Sequence, residues 1–270
     1  MHIARIDESA TLGDSWLHRV APASKLVAFA LVLGAVIASW NVLVVGSLTL
    51  GLVAVAVSAR LRGRLTFTLA AYPALFALIF AFSAATSVLG GVVIVLKAVT
   101  AALGAVIIVL TTPYPYIFAP IQRIVPGIVG DALLMTYRSL FLLLEKFGNL
   151  LIAARLRAGL SAGHPIRSAK ATTRALGGLL LYSFDLSQRS YDIMRMRGYE
   201  GRLHVAMPKS SAPLADIGLV AGASVLLALS VAWRIGWQAL NPFSWILTVA
   251  ALLGLAAAYV TTRRARGQAA

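Results

Sequence analysis

The chain has 270 residues, of which 60% are hydrophobic and only 12% charged, about half the charged fraction of an ordinary soluble domain. This composition fits neither a soluble globule nor a disordered chain, and the absence of cysteine excludes disulfides and thiolate metal sites. The formal net charge of +15 is compatible with nucleic-acid binding, lipid headgroups or membrane topology, so the positions of the basic residues must decide among the three.

Four apolar stretches in the first half of the chain are long enough to cross a bilayer, which takes about 20 apolar residues for about 30 Å. They are roughly Ala23–Trp40, Val42–Ser58, Phe67–Ala85 and Gly91–Leu110. Lys25 lies at the end of the first stretch and can extend to the interface. Lys97 lies within the fourth, so it must either reach the interface or face a polar interior.

The middle of the chain is too charged for a simple span. Asp131–Gly159 is rich in Leu but carries Arg138, Glu145 and Lys146. A central charge costs about 2.5–3.5 kcal/mol and a Leu returns only about 0.5 kcal/mol, so we expect a long helix that is at most partly immersed. In His164–Gly198, apolar residues recur at spacings of three and four, which predicts an amphipathic helix about 50 Å long.

Two more apolar stretches follow, near Leu214–Trp233 and Phe243–Thr261. The sequence therefore predicts an all-α polytopic membrane protein with about six transmembrane helices and a cytoplasmic helical region between the fourth and fifth. The expected organisation is four spans in residues 1–111, cytoplasmic or interfacial helices in 112–213, and two spans with a basic tail in 214–270.

The basic residues follow this topology. With both termini in the cytoplasm, 22 of the 24 basic residues fall on the inner side, and only Lys97 and Arg234 lie elsewhere. An extra span in the middle would place the C-terminal basic cluster outside. The charge therefore indicates a multi-pass protein of the cell membrane, embedded in the lipid bilayer, rather than a nucleic-acid partner.

Two short basic motifs end the two helices of the middle region, and each has two Arg residues at i and i+2 followed by Gly, the usual helix stop. The first contains Arg155, Arg157 and Gly159, and the second contains Arg195, Arg197 and Gly198. Arg at a helix C-terminus also complements the helix dipole. The recurrence at both ends of one amphipathic helix favours a docking surface, because an Arg fork pairs bidentately with carboxylates of a partner.

Enzymatic signatures of the phosphate-loop type and of the zinc-protease type are missing, because the chain contains no Gly-Lys pair and no His-Glu-x-x-His. The four histidines are scattered through polar segments, at His2, His18, His164 and His204. We therefore predict no catalytic residue, no cofactor and no resident metal site.

Four further segments are informative beside the two motifs: Ile6–Ala10, Asp14–Pro22, Lys25–Leu26 and Thr136–Leu140. The second motif, extended over Met194–Gly201, is the most specific. With these, nearly the whole chain resembles the transmembrane T component of energy-coupling factor (ECF) transporters of the cobalt-type CbiQ group. The chain departs from the family pattern at Ala158, which precedes Gly159, and at Met196, where the family usually has Ala.

The resemblance implies a non-catalytic coupling subunit. Such a T component joins a membrane-embedded, substrate-binding S component to two cytoplasmic ATP-binding cassette ATPases. Its Arg motifs sit in grooves of the two ATPases, and closure of the ATPases on ATP moves the coupling helices and reorients the S component. The expected substrate is Co²⁺ or Ni²⁺, with a vitamin as the open alternative.

Other classes of membrane protein fit the sequence less well. A self-sufficient secondary transporter places ionisable residues at mid-membrane, where Lys97 is the one candidate within the expected spans. A membrane enzyme requires clustered carboxylates or histidines at one interface. The permease subunit of a conventional ABC transporter is the closest alternative, because it too docks on ATPases, but no segment resembles its usual single coupling loop.

Overall fold

A computed structural model of the protein describes residues 10–11, 13, 15–61, 63–85, 87–122, 125–157, 165–199, 201, 203, 212–236 and 241–267. Every regular element in these ranges is helical, which confirms the all-α class. The helices are α1 (Pro22–Ala38), α2 (Val42–Ser58), α3 (Gly63–Ala84), α4 (Val88–Thr111), α5 (Tyr114–Ile121), α6 (Gly127–Leu156), α7 (Pro165–Met196), α8 (Pro213–Ile235) and α9 (Ser244–Gly267), with a short 3₁₀ turn at Asn241–Phe243.

Five helical stretches are long and apolar enough to cross a membrane: Leu65–Ala84, Val88–Thr111, Gly127–Leu156, Pro213–Ile235 and Asn241–Arg263. Helices α1 and α2 are apolar but have 17 residues each, about 25 Å at 1.5 Å per residue. Helix α6 meets the same criterion by length and composition, although it also carries charges. The expectation that α6 is only partly immersed therefore stays a prediction.

The chain divides into two compact units. Unit 1 combines Met1–Ile117 with Pro208–Ala270, and unit 2 is Phe118–Met207. Unit 1 therefore brings the two apolar ends of the sequence together, while unit 2 contains α6, α7 and the two Arg motifs.

Unit 1 is built from helix pairs. Helix α1 packs on α8, α2 on α9 and α3 on α4, and α4 also contacts α1 and α2. One buried cluster joins small and branched residues of α1, α2 and α8: Ala28, Val32, Ala35, Val36, Leu48 and Ala223. Inside a membrane, water does not drive helices together, and small residues allow the helices to pack closely instead. At Gly104, an added Cβ would lie 2.7 Å from Cε2 of Phe29, so the approach of α1 to α4 requires glycine there.

Lys25 is buried and hydrogen-bonded at the end of a neighbouring helix. Its side chain is 4% exposed, and Nζ donates to the carbonyl oxygen of Thr111 and to Oγ1 of Thr112, both at 3.0 Å. These acceptors lie at the C-terminal end of α4, where carbonyl groups lack partners within the helix and carry partial negative charge. The ammonium is thus satisfied inside the bundle, which the position of Lys25 near a span end does not reveal.

Unit 2 is a pair of long helices in contact. Helix α7 packs on α6, Ala175 is buried, and Nζ of Lys146 lies 4.9 Å from the ring centroid of Tyr182. On α6 the rings of Tyr137 and Phe141 meet edge to face with centroids 4.9 Å apart. At 1.5 Å per residue α7 is about 48 Å long, as its periodicity predicts.

Candidate docking surface

The second Arg motif forms the end of α7. Gly198 has φ +72°, a left-handed conformation that glycine adopts without steric cost. The amide of Tyr199 donates to the carbonyl of Met194, and the amide of Gly198 donates to that of Arg195, both at 3.1 Å. These two bonds are a Schellman C-cap, so Gly198 stops the helix as the sequence predicts. Arg195 and Arg197, which both precede this stop, have exposed side chains.

The first Arg motif forms the end of α6. Arg157 is the C-cap residue, with its amide donating to the carbonyl of Ala153 at 3.1 Å, and Arg155 lies in the last helical turn. Both Arg side chains are exposed. Gly159 lies outside the described residues, so its expected role as the helix stop stays a prediction.

The two motifs share an arrangement that their glycines alone do not show. Leu156 is the last residue of α6 and is 84% exposed, and Met196 is the last residue of α7 and is 80% exposed. Each therefore projects between two exposed Arg side chains. Aromatic, Met and Arg residues are enriched at the centres of protein interfaces, whereas isolated exposed apolar residues are common. The two helix ends therefore present the same arrangement of exposed side chains.

A third polar group lies beside the second motif. Asp131, near the start of α6, is 7% exposed, and its carboxylate accepts hydrogen bonds from the Tyr199 hydroxyl at 2.5 Å and the Leu203 amide at 3.0 Å. The hydrogen bond to Asp131, followed by partial burial and by the negative charge of Asp131, raises the pKa of Tyr199. In the sequence, Asp131 is only the first residue of the Leu-rich stretch Asp131–Gly159. Its signal is an acidic residue among apolar neighbours, but 68 positions separate it from Tyr199.

The apolar face of α7 is largely exposed within unit 2. Leu180 is 62% exposed, Phe184 69% and Tyr191 60%, at helical spacing along one side. The polar side of the same helix carries the exposed ion pair between Arg189 and Asp185, 2.7 Å apart. Helix α7 is thus amphipathic as predicted, and its apolar side is free to meet lipid or another membrane helix.

The described residues around these motifs lack the geometry of a metal site. Across the part of the chain that the structure describes, no three His, Asp or Glu side chains are close enough to hold a metal ion. Of the four histidines, His18 is described, and its Nδ1 lies 2.7 Å from Oγ of Ser15. Residues 159–163 read Gly-x-Ser-x-Gly, a spacing that the nucleophile elbow of hydrolases shares. That elbow connects a strand to a helix, whereas this segment follows α6, so the spacing carries no catalytic assignment.

Unit 1 contains an apolar cavity of about 590 Å³ between α1, α2, α4 and α8. Small residues such as Gly51, Gly104 and Gly222 form much of its lining, and Lys25, at one side, is already bonded to Thr111 and Thr112. The described residues that line the cavity include no Asp, Glu or His.

The chain matches the model of a protein family over most of its length. The model of the family CbiQ, described as cobalt transport protein, matches residues 13–209, close to three quarters of the sequence. The matched range includes both Arg motifs and Asp131. Comparison with curated proteins gives no significant match.

Proposed function

Because the chain belongs to the CbiQ family of cobalt transport proteins, we propose that it is the transmembrane T component of an ECF-type importer for Co²⁺ or Ni²⁺. In this role it couples two ATP-binding cassette ATPases to a separate S component that binds the substrate in the membrane. Membership of the family makes it a component of membrane transport, and the coupling role is the proposal.

The observation that supports the coupling role is the pair of exposed Arg motifs at the ends of α6 and α7. Each presents two guanidinium groups around one exposed apolar side chain, Leu156 or Met196. Guanidinium groups pair with carboxylates bidentately, and desolvated Arg and apolar anchors dominate interface energies. Two similar ends on one chain match two similar ATPase subunits, each with an acidic groove.

The long helices provide the mechanical connection. Helix α6 is about 45 Å long and α7 about 48 Å, at 1.5 Å per residue. A displacement imposed on the helix ends by closing ATPases is carried along these helices to the exposed apolar side of α7. We propose that this side, which includes Leu180 and Phe184, packs against neighbouring helices of the S component.

The chemistry of ATP hydrolysis and of substrate recognition belongs to the partners. The sequence has no phosphate-binding loop of the Walker type. We therefore expect the purified chain to show no ATP hydrolysis, and Co²⁺ or Ni²⁺ to be bound by the S component. In this proposal both termini and unit 2 lie on the cytoplasmic side of the cell membrane.

Co-purification with the ATPases tests the proposal. Arg197→Glu places a carboxylate where the partner groove is acidic, and it should abolish association with the ATPases while membrane insertion is retained. Arg174→Glu is the matched control, because Arg174 is exposed in the middle of the same helix and outside the motif. Normal assembly of the Arg197→Glu chain with both ATPases would contradict the proposed function.

The double variant Arg155→Glu/Arg157→Glu separates the ECF arrangement from a conventional permease. In the ECF arrangement one chain contacts both ATPases, each through a different motif. Substitutions in either motif should therefore weaken one ATPase contact and lower transport. A conventional permease chain docks through a single coupling loop. Unchanged transport in the double variant would remove the first motif from the mechanism.

A further inference from the structure

We propose that Asp131 is a positioning residue that holds the second Arg motif in its docking orientation, through hydrogen bonds to Tyr199 and to the backbone of Leu203. The inference rests on the proposed docking function and adds to it a residue that is itself outside both motifs. We call the carboxylate of Asp131 with these two donors the Asp131 latch.

The latch joins the start of one helix to the segment that follows the other. Oδ2 of Asp131 accepts from the hydroxyl of Tyr199 at 2.5 Å, and Oδ1 accepts from the amide of Leu203 at 3.0 Å. Nε2 of Gln122 lies at 3.5 Å from Oδ1. A carboxylate that is 7% exposed requires such donors, because an unpaired buried charge is strongly disfavoured. The burial and the donors together indicate a built contact rather than a chance surface encounter.

The latch is placed directly after the docking residues. Tyr199 follows Gly198, whose left-handed conformation turns the chain out of α7 immediately beyond Arg197. Holding Tyr199 against α6 therefore fixes the direction in which the last turn of α7 presents its Arg side chains. Without the latch, the helix cap would remain, but its orientation against α6 would depend on the other contacts between the two helices.

A second contact completes the pair. Lys146 lies over the ring of Tyr182, 15 residues beyond Asp131 on α6 and 14 residues before the end of α7. These intervals correspond to about 22 Å along each helix, so α6 and α7 run antiparallel between the two contacts. The first motif, at the far end of α6, lies about 38 Å of helix away from Asp131. The latch thus sets the spacing between the two motifs as well as the orientation of the second.

The test measures binding of the ATPase pair that co-purifies with the wild-type chain, using full-length chains in lipid nanodiscs. Tyr199→Phe removes only the hydroxyl, and Asp131→Asn removes the charge while keeping the size. Each should weaken binding at least tenfold. Tyr259→Phe and Asp185→Asn are the matched controls, because both side chains are exposed and neither belongs to the latch, and both variants should bind as the wild type does.

A combination of variants separates positioning from general stability. If the latch acts through the second motif, then Arg197→Ala should cost much less affinity in the Tyr199→Phe background than in the wild type. Arg155→Ala/Arg157→Ala should cost the same in both backgrounds. A variant that merely loosens the fold would instead change both costs alike, and that result would overturn the proposal.

The outcomes also separate this inference from the proposed function. If Arg197→Glu abolishes binding and Tyr199→Phe binds as tightly as the wild type, the latch is wrong and the docking function stands. If Arg197→Glu itself binds normally, the docking function fails and the latch fails with it. Tyr199→Phe keeps the test decisive even if Asp131→Asn does not fold.

Discussion

The ammonium of Lys97 lies 4.5 Å from the ring centroid of Trp40, and its Nζ is 3.4 Å from the carbonyl oxygen of Ile37. Nη1 of Arg234 lies 3.5 Å from the carbonyl oxygen of the next residue, Ala38. Lys97 and Arg234 are the two basic residues that do not fall on the predicted inner side. Both therefore contact the C-terminal end of α1. Carbonyl groups at a helix C-terminus lack internal partners and attract cations, which accounts for both positions.

Single-cysteine labelling tests the topology that this arrangement supports, because the chain contains no cysteine of its own. Leu89 is the second residue of α4, is 69% exposed and lies on the proposed outer side. Leu89→Cys introduces a thiol there. It should react with a membrane-impermeant maleimide in intact cells. Arg60 is exposed two residues beyond the C-terminal end of α2, on the proposed inner side. Arg60→Cys should react only after permeabilisation, and the reverse pattern would contradict the topology.

Lys25 and Lys97 should differ in what they contribute to stability. Lys25→Met removes two hydrogen bonds from a buried ammonium and should lower the free energy of unfolding by about 2 kcal/mol. Lys97→Met removes a cation–π contact from a more exposed cation and should cost about 1 kcal/mol or less. Thermal unfolding of both variants in one detergent measures the difference. A larger loss in Lys97→Met than in Lys25→Met would contradict this ranking.

Glycine-to-alanine substitutions within α7 and directly after it should have opposite effects on the stability of the helix. Gly198→Ala forces a Cβ into a left-handed conformation, which costs about 1–2 kcal/mol and should loosen the helix cap and weaken ATPase binding. Gly177→Ala, where a Cβ meets nothing within 4 Å in mid-helix, should stabilise α7 by about 0.5–1 kcal/mol. Circular dichroism during thermal unfolding, with the binding assay, checks both. Equal effects of the two substitutions would be inconsistent with the cap.

Ionisation of Tyr199 gives a pH-dependent signature of its contact with Asp131. The pKa of Tyr199 is raised, mainly by its hydrogen bond to Asp131, with burial and the negative charge of Asp131 adding to it. A group whose pKa is raised on folding contributes stability that is fully present below its ordinary value, about 10 for tyrosine, and lost as the pH rises through the raised value. The contact is therefore complete at neutral pH.

The measurement is the tyrosinate absorbance of the wild type minus that of Tyr199→Phe. In the Asp131→Asn chain, the same difference titration should have its midpoint at lower pH, nearer the ordinary tyrosine value. An unchanged midpoint in Asp131→Asn would show that Asp131 does not set the ionisation of Tyr199.

The sequence predicts the helices well because their signals are local. Apolar runs locate the helices α1 to α4 within a few residues, and an Arg-Gly pair places the end of α7 directly before Gly198. The short helix α5, Tyr114–Ile121, has no such signal, because it is one element of eight residues that contains an internal Pro120. The partners of Lys25, at the end of α4, could not be predicted from the sequence because they are 86 and 87 residues away.

In the proposed docking surface, too, local features could be predicted from the sequence and long-range contacts could not. The two Arg pairs are visible in the sequence, since each is a contiguous motif. The contact between Asp131 and Tyr199 is not, because it depends on the antiparallel packing of α6 and α7, and one acidic residue has no periodicity. The exposure of Leu156 and Met196 likewise depends on where the helices end.

Site-specific cross-linking tests the central claim most directly, namely that both helix ends contact ATPases. A photoreactive amino acid is placed at Met196, at Leu156 or, as a control, at Leu181, which is 74% exposed in the middle of α7. We predict that Met196 and Leu156 each give a cross-link to an ATPase subunit and that Leu181 gives none. An assembled complex in which neither Met196 nor Leu156 cross-links to an ATPase would contradict the account.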